Sequence, residues 1–198
     1  MNKLFESIYS DDGVEQMFEA NWKQAVGTGL VAASLLTGMP QQAAAKQSVS
    51  ITQEEKGINI ENLLHAFKQV ESSGGRDTRT RYEAGIEKQL RRDYAKLHTR
   101  TKKAIDTYGY KAMATSYGPY QMIGATAYDM GHTGTLEDLK TESVCKEMAR
   151  KYIIWLMNRA KTTNVKDVIS GYNAGIGGIG SNPAYINKVL KHYTDGGS

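Results

Sequence analysis

The sequence predicts an all-α domain, or a helical domain with a minor β element, from about residue 58 onward. In this part of the chain, apolar residues recur three and four positions apart, which is the spacing that places side chains on one face of a helix. Glycine-rich turns separate these stretches. No segment alternates apolar and polar residues for long, so few strands are expected.

The first predicted helix begins after Asn59, whose side chain can accept a hydrogen bond from the start of the helix. The segment Ser72-Ser73-Gly74-Gly75 ends it, because glycine readily adopts the backbone conformation found just beyond a helix. The apolar positions at helical spacing are Ile60, Leu63, Leu64, Phe67 and Val70.

Four more helices follow from the same reasoning. One is predicted from Tyr82 to Leu97 and another from about Thr141, and shorter ones cover residues 165–172 and 184–193. The apolar positions of the Tyr82 helix are Tyr82, Ile86, Leu90, Tyr94 and Leu97, and those of the Thr141 helix are Val144, Met148, Tyr152, Ile153, Trp155 and Leu156.

The composition is that of an ordinary soluble globular protein, with 40% hydrophobic and 23% charged residues in a chain of 198. This length is enough for one domain with a hydrophobic core. The single cysteine, Cys145, excludes a disulfide within the chain and is expected to be a buried structural thiol. No histidine or cysteine pair has zinc-ligand spacing and no HExxH or CxxC motif occurs, so neither a metal nor a cofactor is expected.

Residues 1–45 are predicted to be a leader, and they carry a net charge of −3 against +7 for the remainder. Residues 25–39 are uncharged and precede Pro40 and the alanines 43–45, as in the core and end of a secretory signal. The region before them is acidic rather than positive, and the apolar stretch is short for a membrane span, which needs about 20 residues. The leader fits a cleaved export signal, a removable or membrane-active leader of a phage particle protein, or a plain helix. Residues 46–57 are predicted to link it to a domain of residues 58–198.

Glu71 is the first candidate for chemistry. It stands at the end of an apolar helical face, beside a glycine-rich break. Burial at such a place disfavours the charged form and raises the pKa of a carboxyl, which makes it suitable as a general acid near neutral pH. A lone glutamate at a helix end, however, more commonly has a solvent-facing side chain.

Further segments change that balance. Gly118-Pro119-Tyr120-Gln121 is followed by Ala125-Thr126-Ala127, and later come Tyr172-Asn173-Ala174-Gly175 and Tyr185. With Glu71-Ser72, these motifs resemble, in the same order, those of the soluble lytic transglycosylase family, in the wider group that includes goose-type lysozyme. The resemblance covers about residues 58–193. Each motif alone is weak, whereas their occurrence together in this order is a strong signal.

The resemblance implies a lysozyme-like helical domain with a substrate cleft, acting on peptidoglycan glycan strands in the periplasm or cell wall. In that family the glutamate protonates the oxygen that links N-acetylmuramic acid to N-acetylglucosamine. It then takes a proton from the muramic C6 hydroxyl, which closes a 1,6-anhydro ring without consuming water. The resemblance implies that Glu71 would take this role, with no metal or cofactor. Either export through the leader or carriage in a phage particle would bring the domain to the wall, with membrane or virion association through residues 1–45.

The resemblance also implies a set of substrate-binding residues. Gln121 would line the groove, Tyr172 and Asn173 would bind sugar or hold Glu71, and Tyr185 would face Glu71 from the last helix. Tyr120 stands where the family usually has methionine and could alter a sugar subsite. Two structural alternatives stay open: Tyr172 could be a core tyrosine, and Gly118 could serve only backbone geometry.

The distance from Glu71 to Gly118 is longer than in the family, and the additional residues are rich in arginine and lysine. This insertion supplies Asp77 and Glu83, either of which could act as the second carboxylate of a hydrolytic muramidase. Its positive charge suits an anionic wall polymer, but it would also suit nucleic acid. A solvated charged face is the commoner origin of such a charge run, so nucleic-acid binding is kept only as a remote alternative.

Overall fold

The computed structural model describes residues 58–195, so the predicted leader and linker lie outside the described residues. Within that range the protein is mostly helical, with seven α-helices and one three-stranded sheet. This confirms the prediction of a helical domain with a minor β element. No helix among the described residues is both long and apolar enough to cross a membrane.

Helix α1 spans Ile60–Ser72 and forms as predicted. The Asn59 side chain accepts a hydrogen bond from the Asn62 backbone N–H at 3.0 Å, which caps the first turn. The helix ends because Ser73 adopts a left-handed conformation, with φ of 52°. The buried face of α1 is formed by Leu63, Leu64, Ala66, Phe67 and Ser72.

The single helix predicted from Tyr82 to Leu97 is wrong. The chain instead forms strand β1 (Arg81–Tyr82), helix α2 (Ala84–Arg92) and a short 3-10 turn (Tyr94–Lys96). Pairing with a second strand keeps Tyr82 extended, and Leu97 is extended and buried at 2% exposure. The apolar residues do recur at helical spacing over this segment. The helix nevertheless ends at Asp93, a buried residue whose carboxylate pairs with Arg92 at 2.7 Å.

Helix α3 spans Thr99–Met113 with a break at Gly109, whose φ of 81° is not helical. It was not predicted, because its buried positions include a threonine and an alanine. Strands β2 (Thr115–Tyr117) and β3 (Met122–Ile123) follow it. The sheet is antiparallel in the order β1–β2–β3, with Arg81 opposite Ser116 and Ser116 opposite Ile123. Strands of two and three residues agree with the expectation that strands are few.

The remaining helices are α4 (Gly124–Asp129), α5 (Glu142–Ala160), α6 (Val165–Ala174) and α7 (Pro183–Asp195). Helices α5, α6 and α7 were predicted, and α4 was not. The Cys145 thiol is buried in α5, as expected. Helix α1 packs most extensively against α7, and α5 and α6 complete the core around them. Fully buried side chains of this core are Leu63, Leu64, Phe67, Ile153, Leu156, Val168, Ile169 and Val189.

Candidate active site

The Glu71 carboxyl lies in the last turn of α1, where α1 packs against α7. Its Oε1 accepts a hydrogen bond from the Tyr185 hydroxyl on α7. Burial raises the pKa of Glu71, while the Tyr185 hydrogen bond and the positive charges of Arg81 and Lys188 oppose that rise. Glu71 therefore holds its proton to a higher pH than an ordinary glutamate does.

Ser72 joins the end of α1 to the turn between β2 and β3. Its hydroxyl is buried, lies 2.7 Å from the Pro119 carbonyl oxygen and accepts from the Gly75 N–H at 2.9 Å. The Ser72 carbonyl accepts from the Asp77 N–H at 2.9 Å. The residue next to Glu71 thus fixes both the glycine-rich break and the start of the inserted segment.

Gln121 occupies the end of the β2–β3 turn with a left-handed backbone, φ 48°. Its Oε1 accepts from the Ser116 hydroxyl at 2.8 Å. Its Nε2 donates to the carbonyls of Gly118, at 3.0 Å, and Arg79, at 3.2 Å. The amide is therefore engaged by the protein on both sides, and it holds residues 79–81 against the turn.

A pocket of about 200 Å³ opens beside Glu71. Three of the residues named from the sequence line it together: Glu71, Gln121 and Asp77. The remaining walls are formed by Arg79, Thr80 and Arg81, which the sequence showed only as part of a basic insertion. The walls are mainly charged and polar, as a ligand rich in hydroxyl, amide or carboxylate groups requires.

Tyr172 and Tyr120 are not among the residues that line this pocket. The Tyr172 ring stacks on Phe67 with centroids 3.9 Å apart, and Tyr152 packs against it at 5.5 Å. The Tyr172 hydroxyl donates to the Tyr120 carbonyl at 2.9 Å. Tyr120 is only 2% exposed, and burial raises the pKa of its hydroxyl to about 12. These contacts fit the core-tyrosine alternative for Tyr172 and give Tyr120 the same supporting position.

Asn173 is exposed and acts on Tyr185 through a neighbour. Its Oδ1 accepts from the Asn182 Nδ2 at 3.0 Å. The Asn182 Oδ1 in turn accepts from the Tyr185 backbone N–H at 3.2 Å. The end of α6 is thereby tied to the first turn of α7, which carries the tyrosine that holds Glu71. Asn182 was not identified from the sequence, because it acts by holding Tyr185 and not on Glu71 itself.

The two candidate second carboxylates differ in position. Asp77 lines the pocket and accepts from Arg79 Nε at 2.9 Å and Nη2 at 2.7 Å. These hydrogen bonds hold the pKa of Asp77 at about 2, so the side chain is ionised at neutral pH. Glu83 precedes α2 and is not among the residues that line the pocket. Its negative charge contributes to the raised pKa of Glu71.

No group of three or more histidine, cysteine or acidic side chains among residues 58–195 is arranged to hold a metal ion. Comparison with known protein families, curated proteins and solved structures finds no match to this chain. The inference of function therefore depends on the motifs in the sequence and on the geometry around Glu71.

Proposed function

We propose that this protein is a peptidoglycan lytic transglycosylase, which cleaves the β-1,4 bond between N-acetylmuramic acid and N-acetylglucosamine and forms 1,6-anhydro-N-acetylmuramic acid. Glu71 is its only acid and base. The observation that carries this proposal is a partly buried carboxyl, hydrogen-bonded by Tyr185, on the wall of a polar pocket.

In the first step, protonated Glu71 donates its proton to the glycosidic oxygen as the bond to the muramic C1 breaks. Burial favours the protonated form that this step requires, because it raises the pKa of Glu71 above that of an exposed glutamate. The N-acetyl group of the substrate can stabilise the positive charge that develops at C1, so a second carboxylate is not required.

In the second step, the Glu71 carboxylate removes the proton from the muramic C6 hydroxyl. The C6 oxygen then forms a bond to C1, which closes the anhydro ring and returns the proton to Glu71. The Tyr185 hydroxyl stabilises the carboxylate between the two steps, since a donor to the charged form favours it. Protons balance over the cycle, and no water enters the products.

The connections among the sequence motifs support this proposal. Glu71-Ser72 contacts the Gly118–Gln121 turn through Ser72 and Pro119. Tyr172 binds the same turn at Tyr120, and Asn173 reaches Tyr185 through Asn182. Segments far apart in the chain thus meet around one carboxyl.

A second candidate function is hydrolysis, and the position of Asp77 favours it. Asp77 lines the same pocket as Glu71 and is ionised at neutral pH, so it could direct a water molecule to C1. The pairing with Arg79 weakens this candidate, because a carboxylate whose pKa is held at about 2 is a poor base.

Removal of the Glu71 carboxyl tests the proposal. Glu71→Gln should lower the rate of peptidoglycan cleavage by about 10²-fold to 10⁴-fold, the usual contribution of a positioned acid–base group. The thermal unfolding of the variant should remain cooperative. Glu137→Gln removes an exposed glutamate paired with Lys140 and serves as the matched control. Full activity in Glu71→Gln would exclude the mechanism, and loss of activity in Asp77→Asn would favour hydrolysis.

A further inference from the structure

The positive charges of Arg81 and Lys188 act on Glu71, and that of Arg81 acts also on Asp77. Arg81 lines the pocket from β1, and Lys188 lies on α7, one helical turn beyond Tyr185. Both side chains are exposed, and within the described range neither donates a side-chain hydrogen bond or forms an ion pair. By contrast, Arg79 is paired with Asp77, and Arg92 is paired with Asp93.

The backbone that carries Arg81 is held firmly. Arg81 pairs with Ser116 across the sheet, and its carbonyl accepts from the Ser116 hydroxyl at 3.2 Å. Two residues earlier, the Arg79 carbonyl accepts from Gln121 Nε2 at 3.2 Å. The Arg81 backbone is therefore a fixed part of the pocket wall, and its side chain is exposed.

The acid role of Glu71 does not explain Arg81. A nearby positive charge lowers the pKa of Glu71, which opposes the protonated state required for the first step. If an anion from the substrate pairs with Arg81, this effect is cancelled and protonation of Glu71 is favoured. The charge of Arg81 therefore lowers the pKa of Glu71 in the empty pocket, and a bound anion removes this lowering.

We propose that Arg81 binds a carboxylate carried by the muramic residue or its substituent, with the positive charge of Lys188 on α7 adding attraction. A guanidinium matches this group because it can donate two parallel hydrogen bonds to a carboxylate. The inference rests on the proposed function and extends it, since it makes the pocket selective for charged glycans. Two sources supply the group: the free lactyl carboxylate of a stem-free strand, and the carboxylates of an attached peptide stem.

Binding to a catalytically silent protein separates the sources. In the Glu71→Gln background, affinity is measured calorimetrically for three glycans: a stem-free peptidoglycan tetrasaccharide, the same tetrasaccharide with peptide stems, and uncharged chitotetraose. Adding Arg81→Gln should weaken binding of at least one peptidoglycan fragment by about fivefold at low salt, as expected for a charge-assisted hydrogen bond at an exposed site. Chitotetraose binding should not change. The fragment that loses affinity identifies the source of the carboxylate.

Two more variants in the same background separate a specific contact from a general loss of positive charge. Arg159→Gln removes an equal charge from an exposed position at the end of α5 and should leave all three affinities unchanged. Arg81→Lys keeps the charge and should recover part of the affinity. If Arg81 had only a structural role, the lysine variant would recover no affinity.

The outcomes are separable. Equal weakening for chitotetraose, or no weakening for either peptidoglycan fragment, overturns the inference and leaves the proposed function standing. If the Glu71→Gln parent binds none of the glycans and the wild-type protein does not degrade the wall, the proposed function fails and the inference fails with it.

Discussion

Burial and a tyrosine donor act on the Glu71 carboxyl in opposite directions. Burial is the larger influence and raises the pKa of Glu71, while the Tyr185 hydroxyl stabilises the ionised form and restrains the rise. An acid that must later act as a base benefits from both, because it gives one proton to the leaving oxygen and then takes another from the C6 hydroxyl. The balance between burial of Glu71 and its hydrogen bond from Tyr185 should determine how activity depends on pH.

Tyr185→Phe tests that balance. Without the hydroxyl, the pKa of Glu71 should rise further, so the alkaline limb of the kcat/KM profile should move to higher pH. The maximal rate should fall, because the carboxyl also loses a positioning contact. Steady-state rates measured across the pH range check both effects. Tyr193→Phe is the matched control, since it removes a hydroxyl from the same helix where its partner is the Asn59 N–H at 2.9 Å. An unshifted profile in Tyr185→Phe would contradict the assigned hydrogen bond.

The raised pKa of Glu71 should also make the free energy of unfolding depend on pH. Because the pKa of Glu71 is raised in the folded protein, its favourable contribution is complete below the unfolded value of about 4.3 and is lost as the pH rises through the folded value. Glu71→Gln should therefore increase the free energy of unfolding more near pH 7 than near pH 4. Urea unfolding at the two pH values measures this difference. A larger gain at the lower pH would show that the pKa of Glu71 is not raised.

At the scale of elements, the turn between β2 and β3 connects the sheet to the core. Gly118 adopts φ of 69°, and a side chain there would collide with the Leu139 carbonyl and crowd the Cys145 sulfur. Its presence in the motif is therefore explained by backbone geometry. The turn also presents Pro119 to Ser72 and Tyr120 to Tyr172, so its conformation bears directly on the surroundings of Glu71.

Gly118→Ala should consequently destabilise the protein by about 2–4 kcal/mol, since it combines a strained backbone with overpacking. Gly85→Ala is the comparison, because Gly85 lies in α2 and a methyl group there would have no neighbour within 4 Å. That change should be neutral or stabilising by up to about 1 kcal/mol, as alanine favours helix. Chemical denaturation measures both, and similar stabilities for the two variants would contradict this role of the turn.

Across the whole molecule, sequence reasoning succeeded where periodicity persists and failed where tertiary contacts decide. Helices α1 and α5 carry continuous apolar faces, so their positions followed directly. The inserted segment kept the same spacing through Tyr82–Leu97, yet strand pairing at Tyr82 and the stop at Asp93 divided it. The strand pairing joins residues distant in the chain, and periodicity carries no information about it.

The candidate site shows the same division. The order of the motifs pointed to Glu71 and Tyr185, and the structure brings their side chains together. Ser116 and Asn182 were missed because each acts by holding another residue. Arg81 appeared only as one charge among many until the sheet placed it beside the pocket.

The most direct test of the central claim is mass spectrometry of peptidoglycan digested by the purified protein in H₂¹⁸O. If Glu71 acts alone as acid and base, the new muramic ends should be 1,6-anhydro sugars that carry no ¹⁸O, and they should be missing from the Glu71→Gln digest. Reducing muramic ends labelled with ¹⁸O would contradict the account and show that the enzyme delivers water to C1.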